Sequence, residues 1–271
     1  MDSSADQWAA LQRAIDDASA KNRPLILPRG VYPISKTLEL KANTQIVGAQ
    51  SSTVLVAIAD PNIAPDGDFL DSMNPQPMIR TVDDPNATIK LGFMRIYAGY
   101  PSAYSLLWQA GAHSTIRNAR SMRPRAEDGR EDNPLAIFRG NGGGRFYVAG
   151  LSSSLIDGTT QPLRFYHYQV QPDGAEFRHA SNIEVYGMKY EGVKPVITMT
   201  GCRNVRVLGE GGGGHPPSVY LVNDSADYLI ACIFPQFGSI PLGERDFVLE
   251  DGKGTGDANQ IILYKRGKPA P

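Results

Sequence analysis

Cysteine is almost missing from this 271-residue chain, which holds two, Cys202 and Cys232. No C-x-x-C pair occurs, so neither a cysteine-built zinc site nor a disulfide scaffold organises the molecule. Both cysteines lie in apolar, strand-like stretches and read as buried thiols; a single disulfide between them is the alternative. An excess of one charge is missing too. The 27 Lys+Arg and 28 Asp+Glu leave a net charge of −1, without the basic stripe that nucleic acid demands. No apolar run approaches the ~18 residues of a membrane span; the longest clean one is Val54 to Ala59. Neither nucleic acid nor a membrane is therefore expected as a partner. The opening Met1-Asp2-Ser3-Ser4 carries no basic and then apolar segment, so no secretory leader is read in it. Turn formers abound, 28 Gly and 20 Pro, beside a hydrophobic fraction of 41% that suffices for one core.

One amphipathic helix stands out. Trp8, Leu11, Ile15 and Ala18 recur at helical spacing, Asp6 or Ser4 can cap the start, and Asn22-Arg23-Pro24 stops it. Everything after Leu25 reads as short strands between turns, too closely spaced for strand–helix–strand units.

An internal repeat decides among the remaining all-β architectures. Asn182-Ile183-Glu184-Val185-Tyr186-Gly187 and Asn204-Val205-Arg206-Val207-Leu208-Gly209 share a frame at an offset of 22 residues, and Asp227-Tyr228-Leu229-Ile230 comes 23 residues later. A weaker echo runs from Leu106 through Trp108 and His113 to Asn118. Periods of this size suit stacked coils that bury their apolar faces on one another. Asn182 and Asn204 are expected to stack at a corner, where Asn tolerates a left-handed backbone. The expected fold is an all-β, single-stranded right-handed parallel β-helix. Residues 1–24 form an N-terminal capping α-helix, 25–243 the coils, and 244–271 a C-terminal cap whose tail is free from Lys265.

The segment from Trp8-Ala9-Ala10-Leu11-Gln12-Arg13-Ala14-Ile15-Asp16 to Leu25-Ile26-Leu27-Pro28-Arg29-Gly30-Val31-Tyr32-Pro33-Ile34 resembles the opening of pectate-lyase-like β-helix domains. Thr37-Leu38-Glu39-Leu40 and Ile46-Val47-Gly48 continue the pattern. Within that superfamily the chain is similar to the exo-β-1,3-glucanase-like proteins of glycoside hydrolase family 55, whose members carry two β-helices with the active site near their junction. The resemblance implies a polysaccharide ligand, a secreted or extracellular location, and a second β-helix in the parent chain. In the opening itself, Pro28 and Gly30 are expected to turn the chain sharply, Gly30 through positive φ, with Tyr32 and Ile34 facing inward.

Glycoside hydrolysis needs a carboxylic acid and a second carboxylate. Glu191 ends Met188-Lys189-Tyr190-Glu191-Gly192 at a strand-to-loop edge, and Glu210 opens the run Glu210-Gly211-Gly212-Gly213-Gly214-His215-Pro216-Pro217. The repeat sets them on adjacent rungs within three residues of register, so they are the expected catalytic acid and partner. Glu184 reads instead as an outward residue paired with Arg206 one rung on. Expected substrate-binding residues are Tyr166, His167 and Tyr168 in the aromatic cluster, Tyr190 and His215 beside the two acids, and Glu176. Strand alternation would bury either Phe165 with His167 or Tyr166 with Tyr168, and Trp108 reads as core. The four histidines share no ligand spacing and the acidic clusters lie in irregular segments, so no metal and no cofactor is expected. Three functions stay open: a glycoside hydrolase acting on a polymer such as a β-1,3-glucan, a non-catalytic glycan-binding or structural β-helix, and a uronate-polymer lyase.

Overall fold

The computed structural model describes residues 5–50, 52–123, 134–151, 153–170, 174–192, 194–212, 219–235, 248–255 and 263–266. Helix α1 (Trp8–Ala20) is followed by three sheets that wind as a right-handed parallel β-helix. Sheet A has ten strands, from Leu25–Ile26 through Leu163–Gln169, Ser181–Lys189 and Arg203–Gly212 to Leu263–Arg266. Sheet B also has ten, from Leu38–Leu40 through Ala136–Arg139, Ser154–Asp157, Ala175–Arg178 and Ile197–Thr200 to Lys253–Thr255. Sheet C has four, Gly30–Ile34, Thr53–Ala57, Arg95–Tyr97 and Arg120–Met122.

Helix α1 closes the open N-terminal end. Leu11 and Ile15 join the core, the Trp8 indole donates to Thr37 O (2.9 Å), and the Gln12 side chain bonds both the N–H and the C=O of Glu39. Asp6 Oδ1 accepts from Trp8 N (3.0 Å) and Ser35 N (3.1 Å), tying the first turn to the first coil. Tyr32 and Ile34 are buried as expected. Gly30 is not in the left-handed region; it simply begins the strand Gly30–Ile34.

The corners obey a rule that the repeat only hinted at. In successive rungs Phe93, Asn118, Val148, His167, Gly187 and Gly209 occupy one corner column, all at positive φ. A second column holds Gly140, Gly158, His179, Gly201 and Asp224, and three residues on stand Asn182, Asn204 and Asp227. Asn204 Nδ2 donates to Asn182 Oδ1 (2.6 Å), the expected amide stack. Each left-handed residue turns the chain and shifts the inward–outward alternation by one. That is why Phe165 and Tyr168 are both fully buried, a pair that simple alternation forbids.

The interior of the middle coils is aromatic. Phe165 stacks on Phe146 (centroids 4.8 Å apart) and Tyr168 (4.3 Å) and meets Phe138 edge-on, while Trp108 packs edge-on against Phe146 (5.7 Å). Cys202 is buried; the side chain of Cys232 falls outside the described residues. At the C-terminal end the expected free tail is corrected: Lys265 and Arg266 lie in Leu263–Arg266, paired antiparallel with Ala226–Pro235. Lys253–Thr255 folds back antiparallel on Val248–Glu250. In each of these two sheets an antiparallel strand covers the last parallel one and pairs backbone groups that would otherwise be bare.

Candidate functional site

A cleft of about 460 Å³ opens over the outer face of sheet B. Inward positions on this sheet carry Ile156, Phe177 and Met199, so the alternate positions Leu155, Glu176 and Thr198 form its floor at successive rungs. Arg178 lies on the floor beside Glu176, and Lys194–Pro195 and Gly174 make one wall. Gly174 is required there: a Cβ would sit 2.2 Å from Pro195 O, at a φ of +76°. The Tyr190 hydroxyl donates to Lys194 O and holds that wall to the solenoid.

Ion pairs dominate the chemistry of this outer face. Arg178 grips Glu176 through two hydrogen bonds (2.6 and 2.7 Å), and Arg139 grips Asp157 Oδ2 through two more (3.2 and 2.8 Å). The Glu176 carboxylate, and more weakly Asp157, holds the Arg178 pKa above its usual value. The polar face extends towards the N-terminus, where Arg80 pairs with Glu39 (2.8 Å) and burial raises the Tyr104 phenol. Desolvation likewise raises Glu39, against the pull of Arg80. Asp157 and Glu176 sit on neighbouring rungs, two residues apart in register. With rungs ~4.8 Å apart and ~3.3 Å per residue, their backbones are about 8 Å from each other.

The expected site residues scatter. Glu176 is in the cleft. Glu191 is exposed and pairs with Lys189 (3.1 Å). Glu210 comes directly after left-handed Gly209 and therefore points into the solenoid, 5% exposed, on the interior column of Tyr168 and Met188. Burial lifts its pKa to about 7. The two acids thus stand on opposite sides of the coil wall and do not form the expected pair.

Tyr168 and Tyr190 are core residues, and their rings are not available for stacking on a ligand. Tyr166 is on the outside, but its faces are covered by Tyr147 (4.9 Å) and Tyr186 (5.2 Å), in a ladder that Arg117 caps by a cation–π contact. His167 is an exposed corner residue next to Gln169, remote in register from sheet B. His215 lies outside the described residues. Glu184 pairs with Arg164 one rung back (2.7 Å), while Arg206 reaches forward to Asp227, so the expected Glu184–Arg206 pair is not made. Reading the residues by type missed Arg178, Lys194 and Thr198. The repeat frame held the signal for Thr198, which falls 22 residues after Glu176.

A family model described as "Rhamnogalacturonase A/epimerase, pectate lyase-like" matches residues 1–183. The chain belongs to this family. Among solved structures it is similar to the A-module of a mannuronan C-5 epimerase, AlgE6, of Azotobacter vinelandii. That match has 15% identity and a TM-score of 0.50, and covers 91% of this chain and 76% of that one. A second epimerase A-module of that organism, AlgE4, has 12% identity and a TM-score of 0.31 over 85% of this chain and 70% of that one. The surface adhesin PfbA of Streptococcus pneumoniae has 10% identity and a TM-score of 0.33 over 98% and 96%. At such identities the likeness is one of fold. No curated protein matched. This member of the rhamnogalacturonase/epimerase family is a carbohydrate-related parallel β-helix.

Proposed function

We propose that the chain binds an extended polysaccharide in the cleft over Leu155, Glu176 and Thr198. The observation that supports this most is the floor itself: an open cleft of about 460 Å³ with Glu176, Arg178 and Thr198 lining it on adjacent rungs. Sugar hydroxyls both donate and accept, and a floor of carboxylate, guanidinium and hydroxyl groups meets them with charge-assisted hydrogen bonds. The family's polysaccharide ligands agree with that chemistry. The same reading puts the protein outside the cell, where such polymers occur, and leaves room for a second β-helix beside it.

A second reading, hydrolysis of a glycosidic bond such as that of a β-1,3-glucan, draws on the spacing of Asp157 and Glu176. Two acids on adjacent rungs of one outer face supply the pair of carboxyl groups that hydrolysis requires. Both carboxylates are already gripped by guanidinium groups, however, which favours binding over proton donation.

Affinity electrophoresis in gels containing laminarin, polygalacturonate or alginate tests the first reading. Retardation by at least one polymer, abolished in Thr198→Trp, which fills the cleft, is expected. Equal mobility in every gel would overturn it. Release of reducing sugar that disappears in Glu176→Gln would establish the second reading.

A further inference from the structure

We propose that Glu210 is a proton-dependent latch on the last coils of the solenoid, closed when its carboxyl group has taken up a proton and loosened when the proton leaves. Its placement is the basis. Glu210 is 5% exposed, lies on the interior column of Tyr168 and Met188, and has an Oε2 without any hydrogen-bond partner among the described residues. Across the interior, Tyr220 of Tyr220–Asn223 is fully buried and its hydroxyl also lacks a partner among them. A neutral carboxyl group is tolerable in such a place; a lone carboxylate is far costlier.

Among the described residues the groups around it offer no compensating charge, and Tyr228 and Ile230 are the inward residues of the next rung. On its own strand, Val207 and Val205 are the other inward residues; Met188 precedes it on the column, and Ile197 neighbours Tyr220 on sheet B. Tyr220 is held neutral by burial and by repulsion from Glu210, and burial does the same to Tyr168 two rungs back. Among the described residues desolvation alone acts on Glu210, and no Lys, Arg or His steadies its anion.

Folding and proton uptake at this position are coupled in one direction. A carboxyl group with an ordinary value of 4.5 when unfolded and about 7 when folded binds its proton more tightly in the native coil. Its contribution to stability is fully present below pH 4.5, declines as pH rises towards 7, and is lost above it. Glu176 and Glu191, by contrast, lie on the outside of the coils in ion pairs with Arg178 and Lys189.

Amide hydrogen exchange of the full chain, monitored by mass spectrometry at pH 5 and pH 8 and corrected for intrinsic rates, reads the latch. Protection of 203–212 and 220–223 is expected to fall on the order of 100-fold at the higher pH. Glu210→Gln, a neutral isostere, should remove most of this difference. A wild-type chain whose protection in these strands is unchanged between the two values would overturn the proposal. So would a Glu210→Gln chain showing the same loss as wild type. If Glu210→Gln does not fold, the wild-type series decides alone, with the aromatic coils 136–147 as the internal reference.

Discussion

Between Ala103 and Gln169 the solenoid interior is filled by Trp108, Phe138, Phe146, Phe165 and Tyr168, rings in contact across rungs. Between Arg203 and Asn223, interior positions hold Val205, Val207, Glu210 and Tyr220, two of them ending in polar atoms without partners among the described residues. Both regions obey the same register, so their backbone hydrogen bonding is alike. They differ in side-chain contributions. The middle coils gain dispersion and ring–ring contact. The last coils gain less and carry a titratable group whose charged form opposes folding. A repeat architecture tolerates this because each coil leans chiefly on its neighbours, and a weak coil lowers local rather than global stability.

The largest expected effect lies at the centre of the strong region. Phe165→Ala removes a ring that touches Phe138, Phe146 and Tyr168 and should destabilise the fold by about 3–5 kcal/mol, measured by chemical denaturation. A loss below about 1 kcal/mol, far short of an ordinary buried-ring truncation, would mean that the aromatic column is not the stronger half. Glu210→Met sharpens the contrast from the other side by giving the last coils an apolar interior. At pH 8 it should stabilise by about 3 kcal/mol, the cost of holding a carboxyl with a pKa of about 7 ionised in the native state. At pH 4.5 the gain should largely vanish, which paired thermal melts at the two pH values would reveal.

A smaller effect concerns the corner that both regions share. Val148 is β-branched, exposed, and held at a φ of +49° in the column where Gly187 and Gly209 serve the later coils. Val148→Gly should relieve this strain and raise stability by about 0.5–1 kcal/mol, seen as a higher melting temperature. The smallest effect belongs to the outer face of sheet A. Arg164→Ala breaks a half-exposed pair with Glu184 and should change stability by less than about 0.5 kcal/mol, with little change in the melting temperature.

The opening segment and the Asn frame were enough to read a capped parallel β-helix, because helical spacing, turn residues and a period near 22 are local properties of the chain. Asn182 and Asn204 marked a corner because an amide that tolerates the left-handed region carries its conformation in its identity. Phe93, Val148 and His167 mark a corner equally well in the structure, yet nothing in their side chains announces it. The sequence-based expectation for the cluster at 165–168 erred for this reason: His167 turns the chain and carries Tyr168 inside.

The site was less legible than the fold. Glu176 was recognised by type, whereas Arg178, Lys194 and Thr198 are ordinary residues until coils stacked ~4.8 Å apart place them around one cleft. Composition, the capping helix, the all-β character and the coil period were determined by the sequence alone, since each depends on residues near one another in the chain. Which carboxylates meet solvent was decided only in the folded stack. Gly209 adopts a left-handed conformation and reverses the facing of the residues after it, so Glu210 enters the core while Glu191, just past the neighbouring strand, stays in water. Gly187 makes the same left-handed corner one rung earlier, so an odd offset in register, Glu210 first after its corner and Glu191 fourth after its own, separates two acids that the linear spacing had set side by side.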